Sequence, residues 1–183
     1  MIEKFFQHEN KNIYQPNISI CNGFFLSLSI SAIAQKEKLQ TAFLYQLTRL
    51  VEWCPEGKQG NFVIGVLGND PALMAELKAL SARRVGTQLI EVKSFASAND
   101  ITNANVVFVP NSQFGNIGAV ASKTSGFCTL IVAEQSGAAN KGAGVSIVYN
   151  ERQSKLEFEI KGYMQRKSLN VSDQLYNLAT TVY

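Results

Sequence analysis

Short apolar runs alternate with helical segments along this 183-residue chain, and this alternation limits the folds that it can adopt. Four of the runs are predicted to be strands, at 61–67, 87–93, 105–109 and 127–133. Apolar runs of this length, bounded by turn residues, are typical of strands that are covered on both faces. Strands that alternate with helices predict an α/β fold with a mostly parallel sheet and helices on both of its faces.

The first predicted helix, over about 37–54, is rich in aromatic residues. Its apolar side chains recur at steps of three and four, which places them on one face: Leu39, Phe43, Leu47, Leu50 and Cys54. A second helix is predicted to begin after Asp70, because aspartate is a good N-cap and Pro71 suits the first turn. Residues 113–124 are predicted to be weakly helical, since two glycines interrupt the pattern.

The hydrophobic period changes to two after the fourth run. Val145–Tyr149 and Lys155–Ile160 flank a short polar loop, and apolar residues alternate with charged ones in the second run. This pattern predicts an antiparallel hairpin at one edge of the sheet. The charged side chains of the second strand, among them Glu157 and Glu159, are predicted to lie on a solvent-exposed face.

Two C-terminal helices are predicted beyond the hairpin. One covers 162–168, and the other begins after Ser172 and carries Leu175, Leu178 and Val182 on its apolar side. The chain has no internal repeat and no low-complexity linker. Residues 35–183 are therefore interpreted as a single domain.

Residues 23–34 are apolar and end in Ala32-Ile33-Ala34, which is typical of the end of a signal peptide. The stretch is shorter than the roughly 20 residues that a helix needs to cross a bilayer. We therefore expect residues 1–34 to be a leader that is cleaved before Gln35, and the mature protein to be periplasmic without inserting into the membrane. The alternative is a disordered leader on a cytoplasmic protein.

Export would leave Cys54 and Cys128 as an even pair in an oxidising compartment. A strand order of 2-1-3-4 would separate the first and fourth strands by two strand spacings, about 9–10 Å. A disulfide needs Cα atoms within about 7 Å. The expectation is therefore two free thiols in the mature protein, with a disulfide as the alternative.

The sequence lacks the residues that common catalytic sites need. Its one histidine, His8, lies in the predicted leader, so the mature chain would have no Ser-His-Asp or Cys-His pair and no ordinary zinc site. No glycine motif for a nucleotide cofactor is complete. The net charge of +3 is scattered and forms no basic stripe, which argues against nucleic-acid binding. We expect no catalytic residue, no metal and no cofactor.

Ligand-binding candidates follow from the predicted topology, because ligands bind beyond the carboxyl ends of parallel strands. Polar residues at these ends are Asp70, Asn111, Ser112 and Glu134. The alternative is that they are ordinary loop residues, since loops at strand ends are usually polar.

Over about residues 36–182 the chain resembles the YfiR family of bacterial periplasmic regulators. The resemblance rests on the aromatic first helix, the segment Gly65-Val-Leu-Gly-Asn-Asp-Pro71, the segment Val106-Val-Phe-Val-Pro-Asn-Ser112 and the run Leu156-Glu-Phe-Glu-Ile160. Many relatives carry Cys-His where this chain has Ala104-Asn105. The resemblance implies a small exported α/β protein that restrains a membrane-bound signalling enzyme, typically a diguanylate cyclase.

Two functions are compatible with these features. The first is a non-enzymatic regulator that docks on a membrane-bound sensor kinase or diguanylate cyclase, with homodimerisation possible. Its candidate contacts are Glu157, Phe158, Glu159, Ile160, Met164 and Leu169, and core packing is the alternative role for the apolar ones. The second is a small-molecule binding protein or an enzyme that uses a pocket at the carboxyl ends of the strands.

Overall fold

The computed structural model describes residues 29–162 and 169–183, with 29–34 as backbone alone. The helices in this part of the chain are α1 (Ser29–Leu50), α2 (Pro71–Lys78), α3 (Ile117–Lys123) and α4 (Asp173–Leu178). The strands are β1 (Val51–Glu52), β2 (Phe62–Leu67), β3 (Arg84–Val85), β4 (Gln88–Phe95), β5 (Val106–Val109), β6 (Leu130–Ala133), β7 (Val145–Asn150), β8 (Lys155–Ile160), β9 (Asn170–Val171) and β10 (Thr181–Val182). No helix in the described ranges has the length and apolar character that crossing a bilayer requires.

The main sheet of the described chain has eight strands in the order β10-β8-β7-β6-β5-β2-β4-β3. Five neighbouring strands of this sheet run parallel to one another: β4, β2, β5, β6 and β7. Outside this sheet, β1 and β9 form a separate antiparallel ribbon. Both the α/β class and the mostly parallel sheet are therefore confirmed. The predicted order of the first four strands is also correct.

Helices cover both faces of the sheet, as predicted. On one face, α1, α2 and α4 pack Leu44, Leu77 and Leu175 against a core that includes Phe62 and Phe108. On the other face, α3 packs against a second core, whose members include Val63, Leu67, Val107, Ile117 and Val120. Successive side chains of a strand point to opposite faces, so a strand between two cores must be apolar throughout. This is why β2 is fully buried.

The buried face of α1 differs from the predicted one. Leu39, Phe43 and Leu50 are only partly buried, whereas Leu44 and Leu47 are fully buried. The buried face also includes four polar residues, namely Glu37, Gln40, Thr41 and Thr48. A pattern that counts only apolar residues assigns these polar positions to solvent. It therefore misplaces the buried face of the helix by about one residue.

The C-terminal region departs from the prediction in three ways. The hairpin of β7 and β8 is present, with Ile147 opposite Phe158, but it is not at the edge, because β10 pairs with β8 in parallel. Val182 therefore lies in a strand, not on the last helix, which ends at Leu178. The β-branched residues Thr180 to Val182 favour extended backbone. Thr180 N and Tyr183 N donate hydrogen bonds to the outer carbonyls of β8. The helix predicted over 162–168 lies outside the described residues from 163 onward.

Cys54 and Cys128 form a disulfide, with Cα atoms 6.2 Å apart, so the prediction of two free thiols is wrong. The strand order on which it rested is correct, but neither cysteine lies in a strand. Cys54 belongs to the loop before β2, and Cys128 precedes β6. The loop reaches across the sheet edge at Gly57, where an added Cβ would lie 3.1 Å from Cys128 Sγ. The distance between strands therefore does not set the distance between these residues.

Candidate functional site

Three parallel strands, β2, β5 and β6, end at one edge of the sheet, which we call the carboxyl edge. Two of the predicted ligand residues meet there. The backbone N–H of Asn111 donates a hydrogen bond of 3.1 Å to Glu134 Oε2. The backbone N–H of Glu134 in turn donates to Val109 O at 2.9 Å, which fixes the start of the loop after β6. The structure thus brings Asn111 and Glu134 together, as the topology predicted.

Helix α1 adds two residues that sequence reasoning did not propose. The Lys36 ammonium forms an ion pair with Glu134 Oε1. Gln40 Nε2 donates a hydrogen bond of 2.9 Å to the same oxygen. The signal that could have revealed Gln40 is the spacing of Glu37, Gln40, Thr41 and Leu44, which share one helical face.

A cavity of about 290 Å³ opens beside Glu134. It forms because β6 ends at Ala133, opposite Ser146, while β7 continues to Asn150. The lining residues come from the loop after β6, from the free side of β7 and from the neighbouring elements: Lys36, Asn111, Glu134, Gln135, Ser136, Ile147, Val148, Tyr149 and Glu151. The lining is mostly polar and includes both signs of charge.

Two polar atoms of α1 near this edge are buried without a hydrogen-bond partner, Glu37 Oε2 and Thr41 Oγ1. Glu37 is only 6% exposed. Burial raises the pKa of Glu37, and the charges of Asp70 and Glu134 raise it further, whereas a backbone hydrogen bond and Lys36 oppose the shift. An unsatisfied buried polar group costs about 1–3 kcal/mol of stability.

The electrostatic environment of Lys36 is dominated by carboxylates. Burial alone would lower the pKa of Lys36, but the hydrogen bond and charge of Glu134, followed by the charges of Glu37 and Asp70, raise it above its usual value. Three carboxyl groups therefore act on one ammonium, and Glu134 is in direct contact with it.

The other two predicted ligand residues have different positions. Asp70 Oδ1 accepts a hydrogen bond of 3.0 Å from Leu73 N and caps α2, so Asp70 influences the site through its charge. Ser112 is exposed and does not line the cavity. Between the ends of β2 and β5, the Gln113 side chain lies against Gly68, where an added Cβ would be 2.9 Å from Gln113 Nε2. The cavity therefore lies beside β6 and not at the β2–β5 crevice.

The predicted docking residues are mostly buried. Phe158, Ile160 and Leu169 belong to the hydrophobic core, which is the alternative considered for them, and the Phe158 ring packs against Phe43 with centroids 4.9 Å apart. These three side chains cannot reach a partner while the core is closed. Glu157 is half-exposed and pairs with Lys155 at 3.3 Å. Met164 lies outside the described residues.

Glu159 is buried, so the prediction that it lies on a solvent-exposed face is wrong. The turn after β6 covers this face of β8 and supplies donors. Ser136 Oγ and Gly137 N donate hydrogen bonds of 2.6 and 2.7 Å to the two oxygens of Glu159. Burial tends to raise the pKa of Glu159, but these hydrogen bonds, with further ones from Tyr183 and Ser146, lower it below its usual value.

Exposed apolar side chains occur at both ends of the sheet. Leu178, Val182 and Tyr183 are 59%, 51% and 45% exposed and lie beside β8. We call these three residues the C-terminal edge. Leu89, 44% exposed, lies on β4 near the opposite end of the sheet. In the described ranges, no group of three histidine, cysteine or acidic side chains is arranged to hold a metal ion.

Comparisons with known proteins identify solved structures with a similar fold. Two solved structures share the fold at 12% sequence identity. One is the ABC domain in complex with L-Trp from Streptococcus pneumonia, with a TM-score of 0.53 over 82% of this chain and 60% of that one. The other is a conserved domain protein from Vibrio cholerae, with a TM-score of 0.56 over 80% of this chain and 60% of that one. The chain thus spans about 60% of the length of each.

No curated protein sequence matches the chain. A family model described as YfiR/HmsC-like matches residues 37–180, which include nearly all of the sheet and the carboxyl edge. The chain therefore belongs to the YfiR/HmsC-like family.

Proposed function

We propose that this protein is an exported, non-enzymatic regulator that restrains a membrane-bound signalling enzyme from the periplasmic side. The observation that carries the proposal is the C-terminal edge, where Leu178, Val182 and Tyr183 remain exposed beside the last long strand. Large exposed apolar side chains that lie together are typical of protein–protein interfaces. Family membership supports the regulatory role.

The partner proposed first is a diguanylate cyclase, and a sensor kinase is the alternative. The apolar residues of the C-terminal edge would form the centre of the interface, with Glu157 at its polar rim. Restraint requires that the protein bind the inactive form of the enzyme more tightly than the active form. A signal that weakens this binding would then release the enzyme.

Export is proposed on the leader pattern of residues 1–34. Helix α1 begins at Ser29, so the proposed cleavage site before Gln35 lies within the helix as described. Mass spectrometry of the protein purified from its own cells is expected to find Gln35 at the amino terminus. An intact chain beginning at Met1 in the cytoplasm would contradict this proposal.

The regulatory proposal is tested by cellular cyclic di-GMP. A strain that lacks the protein is expected to contain more cyclic di-GMP, and the wild-type gene is expected to restore the lower level. The double variant Leu178→Glu and Val182→Glu should fail to restore it, because two charges would be buried in the interface. Leu89, another exposed apolar residue, lies near the opposite end of the sheet, so Leu89→Glu is the control and should restore it.

Two results would contradict the proposal. An unchanged cyclic di-GMP level in the deletion strain would exclude a cyclase as the partner. Full restoration by the double variant would exclude the C-terminal edge as the docking surface. Circular dichroism of the purified variants checks that each is folded.

A further inference from the structure

The buried carboxylate of Glu159 is shared by segments that are far apart in the chain. The turn after β6 supplies two donors, Ser136 Oγ at 2.6 Å and Gly137 N at 2.7 Å. Ser146 of β7 and Tyr183, which follows β10, also donate hydrogen bonds to it. A carboxylate accepts about four hydrogen bonds, so Glu159 is fully satisfied at only 9% exposure.

Strand β10, by contrast, has few attachments of its own. It is two residues long, and in the described chain it pairs with β8 alone, Thr181 being opposite Glu159. Thr180 N and Tyr183 N donate hydrogen bonds of 2.8 and 3.0 Å to carbonyls of β8. Val182 and Tyr183 stay exposed, so apolar burial adds little. A short edge strand with few buried contacts opens at low cost unless a further contact holds it.

The register of β10 places that further contact on one face of the sheet. Thr181 and Glu159 are in register, so their side chains lie on the same face, and Tyr183, two residues on, shares it. Val182 points to the other face and does not take part. The hydrogen bond between Tyr183 and Glu159 therefore links β10 to the turn after β6 and leaves the apolar side of the C-terminal edge free for a partner.

We propose that Glu159 is the positioning residue of the C-terminal edge: its carboxylate ties Tyr183 to the turn after β6, so this turn sets how firmly the docking surface is held. Ser136 is exposed and lines the cavity, and it is not part of the C-terminal edge. A change at the turn therefore loosens the docking surface without touching it. This inference rests on the docking role proposed above and names the place from which that surface can be regulated.

The link is tested by hydrogen exchange of single amides, measured by NMR on the purified protein. Tyr183→Phe cuts the link directly and should speed exchange of Thr180 N by about tenfold. Ser136→Ala weakens the hold on Glu159 from the other side and should speed it by about threefold. The amide of Leu130, which donates to Asn105 O at the opposite edge of the sheet, should not change.

A double-mutant cycle shows whether the effect passes through Glu159. Once Tyr183→Phe has cut the link, the added change Ser136→Ala should speed exchange of Thr180 N no further. Ser136→Thr keeps a hydroxyl and should retain the wild-type rate. Ser94→Ala is the matched control, because Ser94 Oγ donates a bond of similar length, 2.7 Å, to Gly68 O at the same edge of the sheet.

Three results would overturn the link. The first is unchanged exchange of Thr180 N in both single variants. The second is equal acceleration at Leu130, which would show that the substitutions only destabilise the whole fold. The third is an effect of Ser136→Ala that persists in the Tyr183→Phe background, because it would then bypass Glu159.

The regulatory consequence is tested separately by cellular cyclic di-GMP. In the deletion strain, Ser136→Ala should restore the low level less completely than the wild-type gene, whereas Ser94→Ala should restore it fully. Faster exchange of Thr180 N together with full restoration by Ser136→Ala would overturn the regulatory role. An unchanged level in the deletion strain would instead contradict the proposed cyclase partner, and the exchange data would still decide whether Glu159 positions β10.

Discussion

The buried polar side chains differ between the two edges of the parallel sheet, apart from Ser172 Oγ, which also has no partner and lies beside the C-terminal end of α1. At the amino edge, where the strands begin, the buried side chains of Asn105 and Thr129 have partners. Asn105 accepts a hydrogen bond from Val63 N at 2.9 Å and donates one to Gly57 O at 2.7 Å. Thr129 Oγ1 donates to Ala104 O at 2.6 Å. The Cys54–Cys128 disulfide joins the same region covalently.

At the carboxyl edge, charged and unpaired groups remain. Glu37 and Thr41 each keep a buried atom without a partner, and Lys36 and Glu134 form an ion pair beside a cavity. Because unsatisfied buried groups reduce stability, the protein is less stable than it would be if these atoms had partners. Parallel sheets usually bind their ligands at the carboxyl edge, so this edge is the one at which a ligand site would be expected.

The largest expected effect concerns the disulfide of the amino edge. Replacing both Cys54 and Cys128 with alanine should lower the free energy of unfolding by about 2–5 kcal/mol, because an open chain gains entropy when unfolded. Urea unfolding of the oxidised protein, followed by circular dichroism, measures the change. Dithiothreitol should destabilise the wild type and leave the double variant unaffected. Two titratable thiols per denatured, unreduced chain that begins at Gln35, and so lacks Cys21, would show that the bond does not form.

One substitution at each edge tests whether the two edges differ in stability. Thr129→Val should destabilise the protein by about 1–3 kcal/mol, because it leaves the buried Ala104 carbonyl without its donor. Thr41→Val should be neutral or stabilising by up to about 1 kcal/mol, because it removes a buried hydroxyl that has no partner. The two changes have the same size and chemistry, and urea unfolding measures both. Destabilisation of similar size at the two positions would remove the contrast between the edges.

The smallest expected effect is in the pH dependence of stability, since each change concerns one carboxyl group. The pKa of Glu159 is lowered from the ordinary value of 4.5, so its carboxylate stabilises the folded state above that pH. This contribution is lost as the pH falls through the lowered pKa. The melting temperature of Glu159→Gln should therefore lie below that of the wild type at neutral pH and converge with it in acid.

The opposite pH dependence of stability is expected for Glu37 at the carboxyl edge. Its pKa is raised above 4.5, so the folded state keeps the proton longer, and stability falls as the pH rises through the raised pKa. Relative to Glu37→Gln, the wild type should therefore be more stable in acid than at neutral pH. Thermal melts of both variants across this range test the pair. A parallel pH dependence of the two differences would contradict the assigned pKa directions.

Much of the fold follows from local pattern. The four parallel strands, the hairpin of β7 and β8, and the Asp70 cap of α2 all depend on residues that are close in sequence. The meeting of Asn111 and Glu134 was also predictable, because parallel strands end at the same edge. The inner face of α1 was not predictable, because the hydrogen-bond partner of the buried Gln40 side chain is Glu134, 94 residues away.

The sequence by itself determined the α/β class, the order of the central strands and the polar character of the loops after them, because hydrophobic period and turn residues act locally. Only the tertiary structure decided which polar residues are satisfied and which are not. Cys54 reaches Cys128 because a loop crosses the sheet edge at Gly57. Glu159 is buried because the turn at Gly137 covers it, and Glu37 Oε2 has no hydrogen-bond partner because α1 turns a polar face inward. Such long-range contacts leave no periodic trace in a single sequence, and they decide both the stability of the amino edge and the chemistry of the carboxyl edge.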